Sequence, residues 1–437
     1  MRTWLSLALL LLASSSPALA DDFDFGEEFD EEPSGLGIPL RGKLALGSGY
    51  QIGEPKELVS LDTTLSLVLD WSGSWGQLAG EGDFELNAAH WIEDRSDYTI
   101  DHYTWVALIR SLYYSYAGDQ ISIQVGQLMT VWSAGDLLPV LDVLTAVDTT
   151  EGFFARPEQY RLGQVGTKLD FYQGGNTFSL VWHAWPQMNR IVQGNHPYSV
   201  VPPRDFGMDL SPEWSPTEAA ARFNIQTRSG QFSLMAGRVF ERNPLTQPDF
   251  TSPLGFTMSY PSYNFVGATF SRALGPILIK SELFWSPEAP LQAMGQPLPT
   301  SAESFKGLLG LDYNHESLGT IIIEANIIHP GEPEANENVV ETGGISWMQP
   351  ADTTVSAAIM WSNRFWRDQI SASLVGMLFG DPSIRILRAS IDYQILDELA
   401  LNAQGTLIDY EGSFPRFQEW DRIDLSLVWS WDLARSS

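Results

Sequence analysis

Apolar and polar residues alternate along most of the chain. Leu61, Thr63, Leu65, Leu67, Leu69 and Trp71 fall in one phase, and Asp62, Thr64, Ser66, Val68 and Asp70 in the other. Near the end Ile423, Leu425, Leu427, Trp429, Trp431 and Leu433 share a phase, opposite Asp424, Ser426, Val428, Ser430 and Asp432. The same alternation runs through 121–128, 178–184, 277–285, 321–327, 387–393 and 399–407. Successive side chains of a strand point to opposite faces, so this pattern predicts strands with one apolar and one polar face.

Soluble sandwiches alternate too, but three features point to a membrane barrel. Many runs reach ten or more residues, the length of a tilted transmembrane strand, whereas soluble strands average about five or six. Aromatic residues cluster at run ends, at Trp71, Trp91, Tyr103, Trp285, Trp361, Tyr410, Trp429 and Trp431. Such rings prefer the headgroup level and form girdles. The connections also come in two lengths. Short ones are Ser72-Gly73-Ser74, Ala117-Gly118-Asp119, Gln173-Gly174-Gly175-Asn176, Arg228-Ser229-Gly230 and His315-Glu316-Ser317. Long ones run over 132–161, 188–216, 243–261 and 287–303. Short periplasmic turns and long outer loops are the membrane-barrel arrangement. The predicted fold is all-β, a transmembrane antiparallel β-barrel over residues 36–437. The runs number 19, an odd count, with the turn phase slipping between 330 and 400. Closure needs an even number. The expectation is 18 strands, with 16 as the alternative.

The first 20 residues set the compartment. Arg2 is followed by an apolar run from Leu5 to Ala13, a break at Pro17, and Ala18-Leu19-Ala20. That order is a secretory signal, too short to span a bilayer as a helix. Residues 21–35 then gather Asp21, Asp22, Asp24, Glu27, Glu28, Asp30, Glu31 and Glu32, interleaved with Phe23, Phe25 and Phe29. They read either as a solvated, disordered tail or as a segment that docks a periplasmic protein or binds cations. The chain has no cysteine and a formal charge of −29, which argues against a nucleic-acid partner. The expected location is the bacterial outer membrane, with membrane lipid and a small solute as partners.

An unpaired charge facing lipid at mid-depth costs about 2–4 kcal/mol, so charged residues within strands belong inside. By phase the lumen receives Asp62, Asp70, Asp83, Glu85, Arg110, Lys168, Asp170, Lys280, Glu282, Glu324, Arg388 and Asp392. Acids outnumber bases there, which disfavours anions. The plain alternative is that these residues pair across strands and stiffen the wall.

The segment Val125-Gly126-Gln127-Leu128-Met129-Thr130-Val131-Trp132-Ser133-Ala134-Gly135-Asp136, with Val140-Leu141-Asp142-Val143, gives a resemblance. From about Leu108 to Arg190 the chain resembles the alginate-export-like outer-membrane proteins. There a strand ends in Gly-Arg-Gln, and a Trp-Gly…Asp segment and Asp-Val follow. Here Gly126-Gln127-Leu128 and Trp132-Ser133 replace those residues, and the basic residue is missing. The family lines its pore with cations suited to a polyanion, so alginate does not fit this acidic chain as cargo. The resemblance implies that residues 132–161 fold into or over the lumen. Trp132, Asp136, Asp142, Arg156 and Arg161 are then the constriction candidates; packing on the rim is the alternative. The proline-rich 188–216 is a second plug or an outer loop.

Nothing points to catalysis, a metal or a cofactor. His90, His102, His183, His196, His315 and His329 are scattered without ligand spacing. No Gly-x-Ser-x-Gly elbow, phosphate loop or dinucleotide fingerprint appears. A hydrolase built from neighbouring strands would leave no spacing signal. The leading expectation is a passive channel or exporter for a neutral, apolar or cationic solute. A non-conducting structural or assembly barrel that docks a periplasmic partner is the second reading, and an outer-membrane hydrolase the third.

Overall fold

The computed structural model describes residues 39–53, 56–93, 104–150, 161–190, 217–243, 245–249, 255–291, 300–331, 353–380, 383–411 and 420–433. The expected signal, the acidic segment 21–35, Tyr103, Arg156 and most of 188–216 lie outside these residues.

The strands are β1 (Leu40–Gln51), β2 (Glu57–Gly73), β3 (Gly76–Asn87), β4 (Trp105–Ala117), β5 (Ile121–Leu128), β6 (Ala146–Val147), β7 (Arg161–Leu162), β8 (Gln164–Gln173), β9 (Asn176–Trp185), β10 (Glu218–Gln226) and β11 (Gly230–Phe240). They continue with β12 (Leu245–Asp249), β13 (Gly255–Ser259), β14 (Ser262–Leu274), β15 (Ile277–Leu291), β16 (Thr300–His315) and β17 (Gly319–Pro330). The last are β18 (Thr354–Phe365), β19 (Ile370–Gly380), β20 (Ser383–Leu396), β21 (Leu399–Glu411) and β22 (Arg422–Asp432).

Eighteen of them form one antiparallel sheet, in which β1 pairs with both β2 and β22. The pairing from Arg41↔Asp432 to Gln51↔Arg422 closes the sheet into a barrel with no free edge. Closure settles the strand number at 18. β6–β7 and β12–β13 are small ribbons off the wall. The slip in turn phase has a simple cause. β19 and β20 are joined across only two residues at the end where most connections are long.

Register shows which face is which. On β15, β16 and β17 one phase carries Leu283, Leu309, Ile323 and Ile327, all exposed, with Leu309 at 69 %. The other phase carries Lys280, Glu282, Leu308 and Glu324, all buried. Charge on the exposed phase sits near strand ends, at Arg238, Arg272, Glu303, Arg385 and Asp409. The middle is an apolar belt, bordered by Trp71 and Trp429 at one end and Trp105 and Trp285 at the other. Tyr410 departs from the expected girdle: it is buried on the opposite phase, beside Ile384, Ile386, Ile408 and Trp420.

Candidate functional site

After Leu128 the chain leaves the wall. Trp132, Leu138, Val140, Leu141 and Leu144 pack against Val181, Ala220, Met235, Val239, Phe265, Phe284, Leu308 and Ala358. Those partners lie on β9, β10, β11, β14, β15, β16 and β18, so one short segment spans much of the circumference. Only a path across the inside allows that. The loop therefore folds into the lumen, and the rim-packed alternative is excluded for its described part. Small residues on the wall and on the loop make its seat. A Cβ on Gly267 would collide with the Leu141 side chain, and one on Gly135 would come within 2.8 Å of Leu308.

Two buried wall carboxylates hold the loop's main chain. Glu282 accepts from the N–H groups of Ala134, Gly135 (2.7 Å), Val140 (2.9 Å) and Leu141 (3.0 Å), and from the Ser133 hydroxyl. Glu324 accepts from Asp136 (2.8 Å), Leu137 (2.9 Å) and Leu138 (2.8 Å). A buried carboxylate is expensive unless its lone pairs are filled, and amide donors to a charged acceptor make strong bonds. These donors also satisfy a buried turn that has no ladder partner.

Beside them Lys280 binds Asp136, Asp312 (2.9 Å) and Glu324 (3.3 Å). Gly310 stands between Lys280 and Glu324 in register, and its missing side chain leaves them room to meet. Asp136 keeps its side chain 53 % exposed, so it is the member of this group that faces the open interior.

A second clasp lies further along. Arg242 donates to the carbonyls of Leu144 (3.1 Å) and Gln187 (3.0 Å) and to Glu218 (2.6 Å), which also meets His183 Nδ1 at 2.6 Å. Asp142 pairs with Arg161 (2.9 Å), and Asp148 with Arg190 (2.8 Å). Burial raises the Asp142 carboxyl above its ordinary range, with Arg161 partly offsetting this.

The structure brings Lys280, Glu282, Glu324, Trp132 and Asp136 together. The remaining sequence candidates lie elsewhere on the inner phase. Asp83 pairs with Arg110, Lys168 with Asp170 (3.1 Å), Asp70 accepts from Gln77 (2.8 Å), and Asp392 accepts from Asn402. Asp62, Glu85 and Arg388 also have partners. Trp132 is buried against the wall, and so does not border an opening. Sequence reasoning missed Asp312, Glu218 and Arg242. Asp312 and Glu218 were reachable by phase alone. The inner phase also carries Arg41, Lys43, Arg222, Lys306, Arg364 and Arg422 against Glu81, Asp424 and Asp432, so the acid excess is smaller than the first list implied.

No known family matches the chain, and no curated protein does. Solved structures do. OccK8 (OprE) of Pseudomonas aeruginosa superposes with a TM-score of 0.53 at 10% identity, over 90% of this chain and 98% of that one. OccAB4 of Acinetobacter baumannii gives 0.52 at 11%, over 92% and 100%. OccK2 (OpdF) of P. aeruginosa, solved with glucuronate, gives 0.51 at 9%, over 91% and 98%. The fold is that of these outer-membrane porins. At such identity the likeness establishes fold only.

Proposed function

We propose that this protein is an outer-membrane channel for a small neutral, apolar or cationic solute, its bore narrowed by the inward loop after β5. One observation carries the reading: a loop is fastened inside a closed barrel by wall carboxylates dedicated to its backbone. The apolar belt suits a bilayer, and the even barrel with most short turns at one end suits an outer membrane. The first wall strand begins at Leu40 and the last ends at Asp432, both at the short-turn end, which faces the periplasm in this reading. Residues 1–20 act as the export signal, and 21–35 as a tail available to a periplasmic partner.

Asp136 and the inward acids favour cations over anions. The overall charge of −29 supports this, although inward bases moderate it. The alginate-export-like resemblance of Leu108–Arg190 agrees with an inward loop, while a polyanionic cargo fits this chain poorly. Reversal potentials in a salt gradient test the sign. Cation preference is expected, and anion preference contradicts the solute class.

A second reading has its own observation. The loop's apolar cluster and the cluster around Tyr410 share Met377 and Phe379, which packs much of one side of the interior. A barrel sealed this way serves assembly rather than transport. Liposome swelling with small sugars separates the two: no swelling favours the sealed barrel.

A further inference from the structure

Hairpins at the short-turn end place glycine where the backbone turns left-handed, at Gly76, Gly174, Gly175, Gly275 and Gly319. The hairpin between β18 and β19 does not. There Trp366 (φ 51°), Arg367 (φ 55°) and Asp368 (φ 66°) adopt that conformation in succession, and they are the only non-glycine residues to do so among the described residues. Asp tolerates this region, but a bulky Trp there is a true outlier. Strain of this kind persists where something else compensates for it, and the inference runs from the outlier to a role.

The turn's side chains suggest the role. Trp366 is 74 % exposed, more than any other large apolar residue described, and Arg367 is exposed beside it. Among the described residues, none bonds to either side chain. The backbone closes on itself, with Gln369 N–H donating to the Trp366 carbonyl at 3.3 Å. Trp361 and Phe365 occupy the outward phase of β18, their rings 6.4 Å apart. Trp361 Nε1 donates to the Leu318 carbonyl of the adjoining turn at 2.8 Å, and Leu318 is exposed as well. The aromatic border of the belt therefore runs directly into this turn.

We propose that the Trp366–Asp368 turn is a binding site for anionic phospholipid headgroups at the short-turn edge of the barrel. Trp366 lies at the headgroup level and Arg367 pairs with phosphate. An indole ring is favoured at that level, and a guanidinium matches phosphate geometry with charge-assisted bonds. Glycines would make an easier turn but would present neither group. The proposal rests on the membrane-barrel reading above. A soluble or protein partner is the competing occupant.

The test uses the full chain reconstituted in phosphatidylglycerol vesicles with lipids brominated near the headgroup. The wild-type minus Trp366→Phe emission difference isolates this ring. Strong quenching of the difference is expected, and Arg367→Gln should weaken it severalfold. Replacing phosphatidylglycerol by phosphatidylcholine should weaken it similarly in the wild type. A Trp366→Gly, Arg367→Gly variant should unfold at a higher temperature in detergent, because the strain is relieved. An inserted barrel whose difference emission is unquenched overturns the proposal and points to a partner in water. Failure of the barrel to insert at all instead overturns the membrane reading.

Discussion

At the residue scale the decisive groups are Glu282 and Glu324. Each hydrogen bond to a charged acceptor contributes about 1.5–3 kcal/mol, and each carboxylate gathers several. Glu282→Gln turns an amide N–H₂ toward main-chain N–H groups that need an acceptor. The variant should keep its barrel but release the loop, seen as protease cleavage between 133 and 141 where the wild type resists. Resistance equal to wild type would refute the clasp. Asp142 gives a pH dependence of known sign. Its folded pKa is raised above 3.8, so the native loop binds the proton more tightly than the unfolded chain. Its contribution to loop stability is therefore greatest in acid and falls as pH rises through and beyond the ordinary carboxylate range. Relative to Asp142→Asn, protease protection of the wild type should decline over that window. A wild-type profile that rises there relative to Asp142→Asn contradicts the assignment. Lys280, Glu282 and Glu324 are buried on the inner phase of their strands. Alternation in the sequence did not reveal what Glu282 and Glu324 bind, because backbone donors carry no residue signature.

At the element scale the strands were legible because lipid on one side and charge on the other enforce alternation. The count was not. Alternation assigns a face to each run but names no partner, and the decisive pairing joins residues 41–51 to 422–432. The β12–β13 ribbon has strand pairing without being wall, and the two-residue link after β19 hides the turn rhythm. Closure makes a sharp prediction. Deleting β22 leaves β1 and β21 with open edges, whose unpaired backbone groups a bilayer cannot satisfy. The deletion should abolish the compact, heat-modifiable form on detergent gels. The small residues at the loop seat make another. Gly267→Leu intrudes on the position of Leu141 and should expose the loop to protease without unfolding the barrel. Protection equal to wild type would show that the loop does not rest there.

At the scale of the whole molecule, an 18-strand wall encloses a space wide enough for a solute, and the loop occupies part of it. The sequence pattern supports the enclosure, and the structure supplies the fastening. The most direct test is single-channel recording in planar bilayers, comparing wild type with a variant lacking residues 132–150. The account predicts small discrete steps from the wild type and clearly larger ones from the deletion, with barrels of both inserted. Silence from both, despite verified insertion, would contradict a channel narrowed by this loop.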